Sequence, residues 1–360
     1  MAYRNFPAFR HDDAERIGVV LVNSGTPDSP APADIRRFLQ ALLSDPRVVE
    51  LPRIAWLALL HGVILRVRPR RSARKYRRIW TEQGSPLLIE SDALRTALGQ
   101  NLARRMLAPF SIELAMLYAK PSVPEALAKL RSAGAQRILV LPLFPQYCGV
   151  TTAAVFDQVT AELQRWRWLP ELRFINEYHD HPAYIEALRA SVQKVWQRQG
   201  RSSHLLMSFH SIPEENFRLG DPYHCKCMKT ARLLAEEFNL PDTAWSVSFQ
   251  SRFGKGKWLK PYTVDKVREL AAQGVAELTV VCPGFAVDCL ETSEEIALDN
   301  RAVFLAAGGS EFHYVPALNS SPAHAGFLAD LVSQHVQGWI QQSLYSAADN
   351  STSRSERQRL

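Results

Sequence analysis

Residues 278–300 read L-T-V-V-C-P-G-F-A-V-D-C-L-E-T-S-E-E-I-A-L-D-N, and the chain changes its structural period in the middle of them. Residues 278–282 form a β-branched apolar run, the signature of a buried strand. Pro283-Gly284 stops it. From Asp288 onward the pattern turns helical, with Asp288, Glu291, Glu295 and Asp299 at spacings of 3, 4 and 4. On an α-helix those carboxylates form one stripe, neighbouring Cβ atoms roughly 5–6 Å apart. Like charges so spaced destabilise a helix, so water, a proton or a cation has to offset them. The plain alternative is a solvated acidic face, and acids in a first turn also suit the helix dipole. A strand that ends on Pro-Gly and feeds a helix loaded with acids is nevertheless how an open α/β sheet presents a site.

Outward from this stretch the same unit recurs. Apolar runs predict strands over 17–22, 113–119, 137–144, 172–176, 204–209, 245–249 and 312–318. Helical patterns fill 34–43, 54–67, 182–197 and a segment capped by Thr151-Thr152 that runs to 163. Alternation of this kind predicts an α/β protein with parallel sheets covered by helices. Residues 165–172 read as a joint between two halves of similar plan. The expected organisation is one domain over 1–168, a second over 169–345, and a polar tail over 346–360 that leaves regular structure. The strand tips carry the polar residues, among them N-S-G-T-P at 23–27 and H-S-I-P at 210–213.

In a doubly wound sheet the C-terminal strand ends line one edge, so His210 and the acidic stripe can share a cleft. A lone histidine after a strand is more often structural. Carboxylates from a neighbouring strand change that balance, because the pair could relay a proton near neutral pH or handle a metal. No G-x-S-x-G elbow supports serine hydrolysis, and no G-x-G-x-x-G follows a strand to hold a dinucleotide.

Composition sets the bounds. The chain has 360 residues, 46% of them hydrophobic, enough for two packed domains. Residues 1–10 hold no apolar core of signal-peptide length, and five cysteines form no even framework, so a cytoplasmic, reducing location is expected. The longest apolar run, 54–65, contains His61 and Gly62 and is too short to span a bilayer. The segment 54–67 is apolar on nearly all sides and reads as a core helix or an exposed lip. Directly after its apolar part come eight basic residues in 66–78: Arg66, Arg68, Arg70, Arg71, Arg74, Lys75, Arg77 and Arg78. An apolar helix entering a basic cluster suits an anionic membrane surface, or an apolar ligand with acidic arms. A solvated basic face is the plain alternative for each arginine taken singly. Nucleic acid is not expected as a partner, because aromatics are not interleaved through the cluster, Tyr76 being its single one, and no nucleic-acid module is recognisable.

Several motifs in order carry a resemblance: L-V-N-S-G-T-P at 21–27, S-F-H-S-I-P at 208–213, G-D-P-Y at 220–223, Q-S-R-F-G at 250–254, W-L-K-P at 258–261 and D-C-L-E-T at 288–292. Over nearly its whole length the chain resembles the ferrochelatases, which insert ferrous iron into a porphyrin. The resemblance implies a chelatase-like fold of two Rossmann-like domains with the active-site cleft between them. It implies His210 and Glu291 as catalytic residues that also meet iron, and Asp288 and Glu295 as a proton or metal relay. Tyr118, Tyr147, Trp258, Arg77, Arg78 and Ser85 are implied to bind substrate, the arginines meeting propionates. Ferrous iron is then a substrate, and no cofactor is required. The expected product is protohaem from protoporphyrin IX. Coproporphyrin as substrate, cobalt or nickel insertion into a related tetrapyrrole, and a non-catalytic haem carrier are the alternatives. A carrier has no pyrrole protons to accept, which the His210–Glu291 pair argues against.

Two positions depart from the family pattern: Cys289 stands where many members have histidine, and Leu117 where many have arginine. Some members hold an iron–sulfur cluster. Here only Cys225 and Cys227, beside His224, resemble a ligand pair, and a cluster is not expected. Peripheral contact with the inner face of the cell membrane, and either a monomer or a homodimer, are compatible with these residues.

Overall fold

The computed structural model describes residues 3–4, 16–106, 108–254 and 256–357, with 341–357 as backbone. The reading made on residues 1–10 therefore lies largely outside them. In the first half, β1 (Arg16–Asn23), α1 (Pro32–Ser44), α2 (Arg53–Leu59), α3 (Leu65–Ile79), α4 (Pro86–Arg105), β2 (Phe110–Met116), α5 (Val123–Ser132), β3 (Ala135–Pro142), α6 (Thr152–Leu163) and β4 (Glu171–Phe174) follow in order. Then come α7 (Pro182–Gln199), β5 (His204–His210), α8 (Glu214–Arg218), α9 (Tyr223–Glu237), β6 (Trp245–Gln250), α10 (Thr263–Ala272), β7 (Glu277–Val281), α11 (Arg301–Ala306), β8 (Glu311–Val315) and α12 (Pro322–Arg357). The fold is α/β, with two parallel four-stranded sheets ordered β2-β1-β3-β4 and β6-β5-β7-β8.

The central strands are apolar without alternation because helices cover both faces. Val19, Val20, Leu21 and Val22 of β1 are fully buried. The two sheets repeat one another in detail. At the tip of β2 the Met116 N–H donates to Pro121 O (2.7 Å), and at the tip of β6 the Phe249 N–H donates to Pro261 O (2.8 Å). A Lys-Pro pair sits at the same place in each half.

Three expectations need correction. The strand read over 172–176 as opening the second half is β4, and it pairs with β3 at the edge of the first sheet. The change of sheet thus follows Phe174 instead of falling at 168/169. Residues from 346 do not leave regular structure; the backbone stays helical to Arg357, in a stretch with neither proline nor glycine to break it. The apolar segment 54–67 is not one helix, because a π-helical turn over Leu60–Ile64 separates α2 from α3. Pro69, inside α3, has no N–H to offer the carbonyl four residues back, and the wider turn lies just upstream of it.

The lip itself is amphipathic. Trp56, Leu60, Leu65, Ala73 and Tyr76 are buried in a cluster with Ile35, Leu39 and Leu43 of α1. Leu51, Ile54, Leu59, Val63 and Val67 face outward, Ile54 at 89% exposure. Among the described residues no helix is long and apolar enough to cross a membrane.

Candidate active site

The acidic stretch after β7 is not an α-helix. Residues Glu291–Asn300 form a π-helix, in which hydrogen bonds run from i to i+5. The carboxylates of the expected stripe nevertheless go to different partners. Asp288 precedes the π-helix, and its carboxylate accepts from Thr292 (2.9 Å), Tyr314 (2.5 Å), Asn319 Nδ2 (2.8 Å) and the Ala317 N–H (3.4 Å). Four donors commit Asp288 to anchoring the segment on β8 and the loop after it. Asp299 turns away too, toward Lys75 and Arg78 at 3.2 and 2.7 Å. Glu295 faces the tip of β6, where Ser251 meets it.

His210 ends β5, and its Nδ1 lies 2.7 Å from the Ser211 carbonyl. A carbonyl only accepts, so the neutral ring carries its proton on Nδ1 and leaves the Nε2 lone pair open. Next to it in the sheet, in register, is Gln250 of β6. Gln250 Nε2 donates to Glu291 O at 2.6 Å, and its oxygen accepts from Ser208 at 2.7 Å, which pins the start of the π-helix to the strand tips. Glu295 is held by Ser251. Burial raises the Glu295 carboxyl above its ordinary range; the Ser251 donors lower it, the Glu291 charge adds to the rise and His210 opposes it. Glu295 therefore feels both His210 and Glu291, and the three belong to one electrostatic unit.

From the first half, α3 brings Arg68 and Tyr76 to the same place. Burial lowers the Arg68 guanidinium, with Glu291 pulling the other way, and its Nη1 is buried without a hydrogen-bond acceptor among the described residues. The guanidinium stacks on Phe253 at 3.9 Å from the ring centroid. Burial pushes the Tyr76 hydroxyl well up, and Glu291 and Cys289 push it further. Arg68 was named in the basic run but not singled out, because seven similar residues accompany it there.

The remaining predicted residues divide. Trp258 sits beside the His210 loop, bridged to Pro213, with the Leu259 N–H donating to Ile212 O at 3.0 Å. Tyr147 is half-buried at the tip of β3 with Lys226 over its ring at 5.9 Å. Ser85 is buried and accepts from Thr26 at 2.8 Å, tying the β1 tip to α4. Tyr118 is buried with its hydroxyl donating to Asp45 at 2.8 Å. Arg77 is exposed, whereas Arg78 is held by Glu294 and Asp299. The β1 tip packs closely on the turn after β2. A Cβ on Gly25, whose φ is 106°, would meet the Ala119 Cβ at 2.9 Å.

Cys289 is buried at 4% exposure, and burial raises its thiol well above the usual range. Cys225 is exposed and Cys227 buried, as two positions two apart on a helix should be, so the pair does not converge. A cavity of about 610 Å³ lined by His224, Cys225, Met228 and Trp245 shares no residue with the His210 cluster. Among the described residues no three His, Cys, Asp or Glu side chains form a ready metal cage.

The ferrochelatase family model matches residues 16–336. A ferrochelatase of Thioalkalivibrio sulfidiphilus is 53% identical over 331 residues, 92% of this chain and 90% of that one. A ferrochelatase of Nitrosococcus oceani is 49% identical over 359 residues, covering 100% of this chain and 97% of the relative. Among solved structures, SirB from Bacillus subtilis with Fe3+ covers 91% of this chain and 98% of its own at a TM-score of 0.53 and 12% identity, a likeness of fold alone.

Proposed function

The chain belongs to the ferrochelatase family, enzymes that insert ferrous iron into a porphyrin to make haem, and we propose that here the ring is protoporphyrin IX and the insertion runs on His210, Glu291 and Glu295. What supports this reading is a shared environment: His210 has its Nδ1 committed to the Ser211 carbonyl, Glu295 has a carboxyl raised by burial and influenced by both Glu291 and His210, and Glu291 also acts on Arg68.

Two pyrrole protons must leave as iron enters the ring. The neutral imidazole of His210 takes a proton on Nε2, and its fixed Nδ1–H holds the ring in the tautomer that can do so. Glu295, whose carboxyl burial raises above its ordinary range, can receive or pass on such a proton. Glu291 and His210 together offer a carboxylate and an imidazole to ferrous iron, donors that suit it without a closed cage. Iron bound by so few groups is released into the ring readily. Trp258 and Tyr147 supply flat aromatic surface at the rim, and Arg68 offers its unpaired Nη1 to a propionate.

The outward face of the lip, with Leu51, Ile54, Leu59 and Val63, presents apolar surface to a ring with few charges. This favours protoporphyrin IX, with two carboxylates, over coproporphyrin, with four. The same apolar face beside exposed Arg66, Arg70, Arg71 and Arg74 suits peripheral contact with an anionic inner leaflet.

The test is optical. Purified protein with protoporphyrin and ferrous iron, without oxygen, should convert the free-base spectrum to that of the metalloporphyrin, faster than it does coproporphyrin. His210→Ala should abolish conversion while still binding the ring, since apolar burial dominates affinity for a flat ligand. Near-normal turnover by His210→Ala would move the proton acceptor elsewhere.

A further inference from the structure

Four side chains tie the lip helix α3 to the π-helix. Lys75 Nζ lies 2.8 Å from Glu294 Oε2 and 3.2 Å from Asp299 Oδ2. Arg78 Nη1 lies 2.7 Å from Glu294 Oε1 and 2.7 Å from Asp299 Oδ1. Each cation bridges both acids, so the four charges close a ring. Exposed single pairs contribute little to stability. Glu294 differs, because its side chain is only 1% exposed while Lys75 and Arg78 are 47% and 46% exposed. A carboxylate so buried depends on its partners.

The π geometry makes the ring possible. In an α-helix, at about 3.6 residues per turn, positions five apart point well away from each other. Bonding from i to i+5 brings Glu294 and Asp299 onto one side, where the same two cations reach both. The same two helices carry the site: α3 holds Arg68 and Tyr76, both within electrostatic reach of Glu291, and the π-helix holds Glu291 and Glu295, the latter bonded by Ser251 at the β6 tip.

We propose that Lys75, Arg78, Glu294 and Asp299 form a positioning latch for iron insertion, fixing α3 against the π-helix so that a ring seated under α3 presents its nitrogens to His210 and Glu295. This rests on the functional reading above. None of the four touches the reacting atoms; they act through the helices that carry those that do. A ring still binds when the latch is cut, because the apolar surface remains. It sits out of register with its proton acceptors, and the loss falls on the chemical step.

The experiment measures kcat per porphyrin-binding site and the porphyrin KM for wild type, K75Q/R78Q, E294Q, the combined triple variant and the charge-retaining K75R/R78K, each with its thermal melt. K75Q/R78Q and E294Q should each lower kcat about tenfold or more with the porphyrin KM within about threefold of wild type. The triple variant should be no worse than the poorer parent, because both break one unit. K75R/R78K should stay within about twofold of wild type, since charge and reach survive. Wild-type kcat in a folded K75Q/R78Q or E294Q overturns the latch, as do losses that multiply in the triple variant. If K75Q/R78Q fails to fold, the near-isosteric E294Q decides the matter. A wild type that inserts no iron would overturn the functional reading and the latch together, whereas an active wild type with unaffected variants overturns the latch alone.

Discussion

Ser251 turns both of its donors onto one carboxylate: its backbone N–H lies 2.8 Å from Glu295 Oε1 and its hydroxyl 2.5 Å from Oε2. The residue does this at a φ of 64°, a left-handed conformation that non-glycine residues adopt rarely. Strain of this kind persists where the surroundings over-determine it, and it clusters at functional sites. Even with both donors, burial leaves the Glu295 carboxyl above its ordinary range.

Glu295 should therefore cost stability in return for activity. With its folded pKa raised, the native state holds the proton more tightly than the unfolded chain does. Stability is intact below the unfolded carboxyl range and falls as pH climbs through the raised value. Glu295→Gln should be more stable than wild type at neutral pH, with the gap closing below about pH 4, and nearly inactive. Denaturant melts at the two pH values check it; a variant weaker than wild type at neutral pH would show that the charge is welcome where it sits.

Cys289 and Glu291 should rank far apart in iron handling. Burial keeps the Cys289 thiol protonated, and a thiol is a poor ligand. Cys289→Ala should keep the iron KM within about twofold and lose about 1 kcal/mol of stability from the small cavity. Glu291→Gln should lose nearly all insertion. Steady-state assays across ferrous concentrations that gave the reverse order would place the chemistry on the wrong residue.

Arg68 should discriminate by substrate charge. Its guanidinium has one buried Nη without an acceptor among the described residues, and a propionate would supply one. Arg68→Ala should raise the KM for protoporphyrin about tenfold or more. The dimethyl ester of the same ring should show little difference between wild type and variant. An equal penalty on acid and ester would mean that Arg68 serves packing on Phe253 instead.

The lip should bind anionic vesicles through charge and apolar area together. Reversing Arg70, Arg71 and Arg74 to glutamate should weaken binding, and salt should weaken it in the wild type. Sedimentation with phosphatidylglycerol vesicles measures both. Binding indifferent to charge reversal and to salt would leave the arginines as ordinary surface.

The fold was legible because parallel strands buried on both faces leave long apolar runs, as at 17–22 and 278–282, and because the tips that end them are rich in proline and glycine. The edge strand β4 was assigned to the wrong half for the complementary reason. A short half-covered strand such as Glu171–Phe174 carries no pattern that names its neighbour. His210, Glu291 and Glu295 were singled out through motif and spacing. What the residues could not convey was helix type and long-range partners. No propensity marks a π-helix, and Asp288 and Asp299 were grouped with Glu291 and Glu295 because the residues that claim them, Tyr314, Asn319, Lys75 and Arg78, lie elsewhere in the chain. Arg78, placed near a propionate by its motif, is occupied by Glu294, a residue 216 positions later in the chain.

The last helix returns to the first sheet. Arg105 and Arg137 donate to the carbonyls of Gly326 and Trp339, each at 3.0 Å, and Arg173 donates to that of His335. On a ribosome this has a temporal meaning. The first sheet cannot close its outer layer until residues 322–340 have emerged, so the early half waits, partly uncovered, while the second sheet is made. A stalled or prematurely stopped message would thus leave a product unfinished at its beginning, and proteolysis of such nascent chains should start in the half that was synthesised earliest.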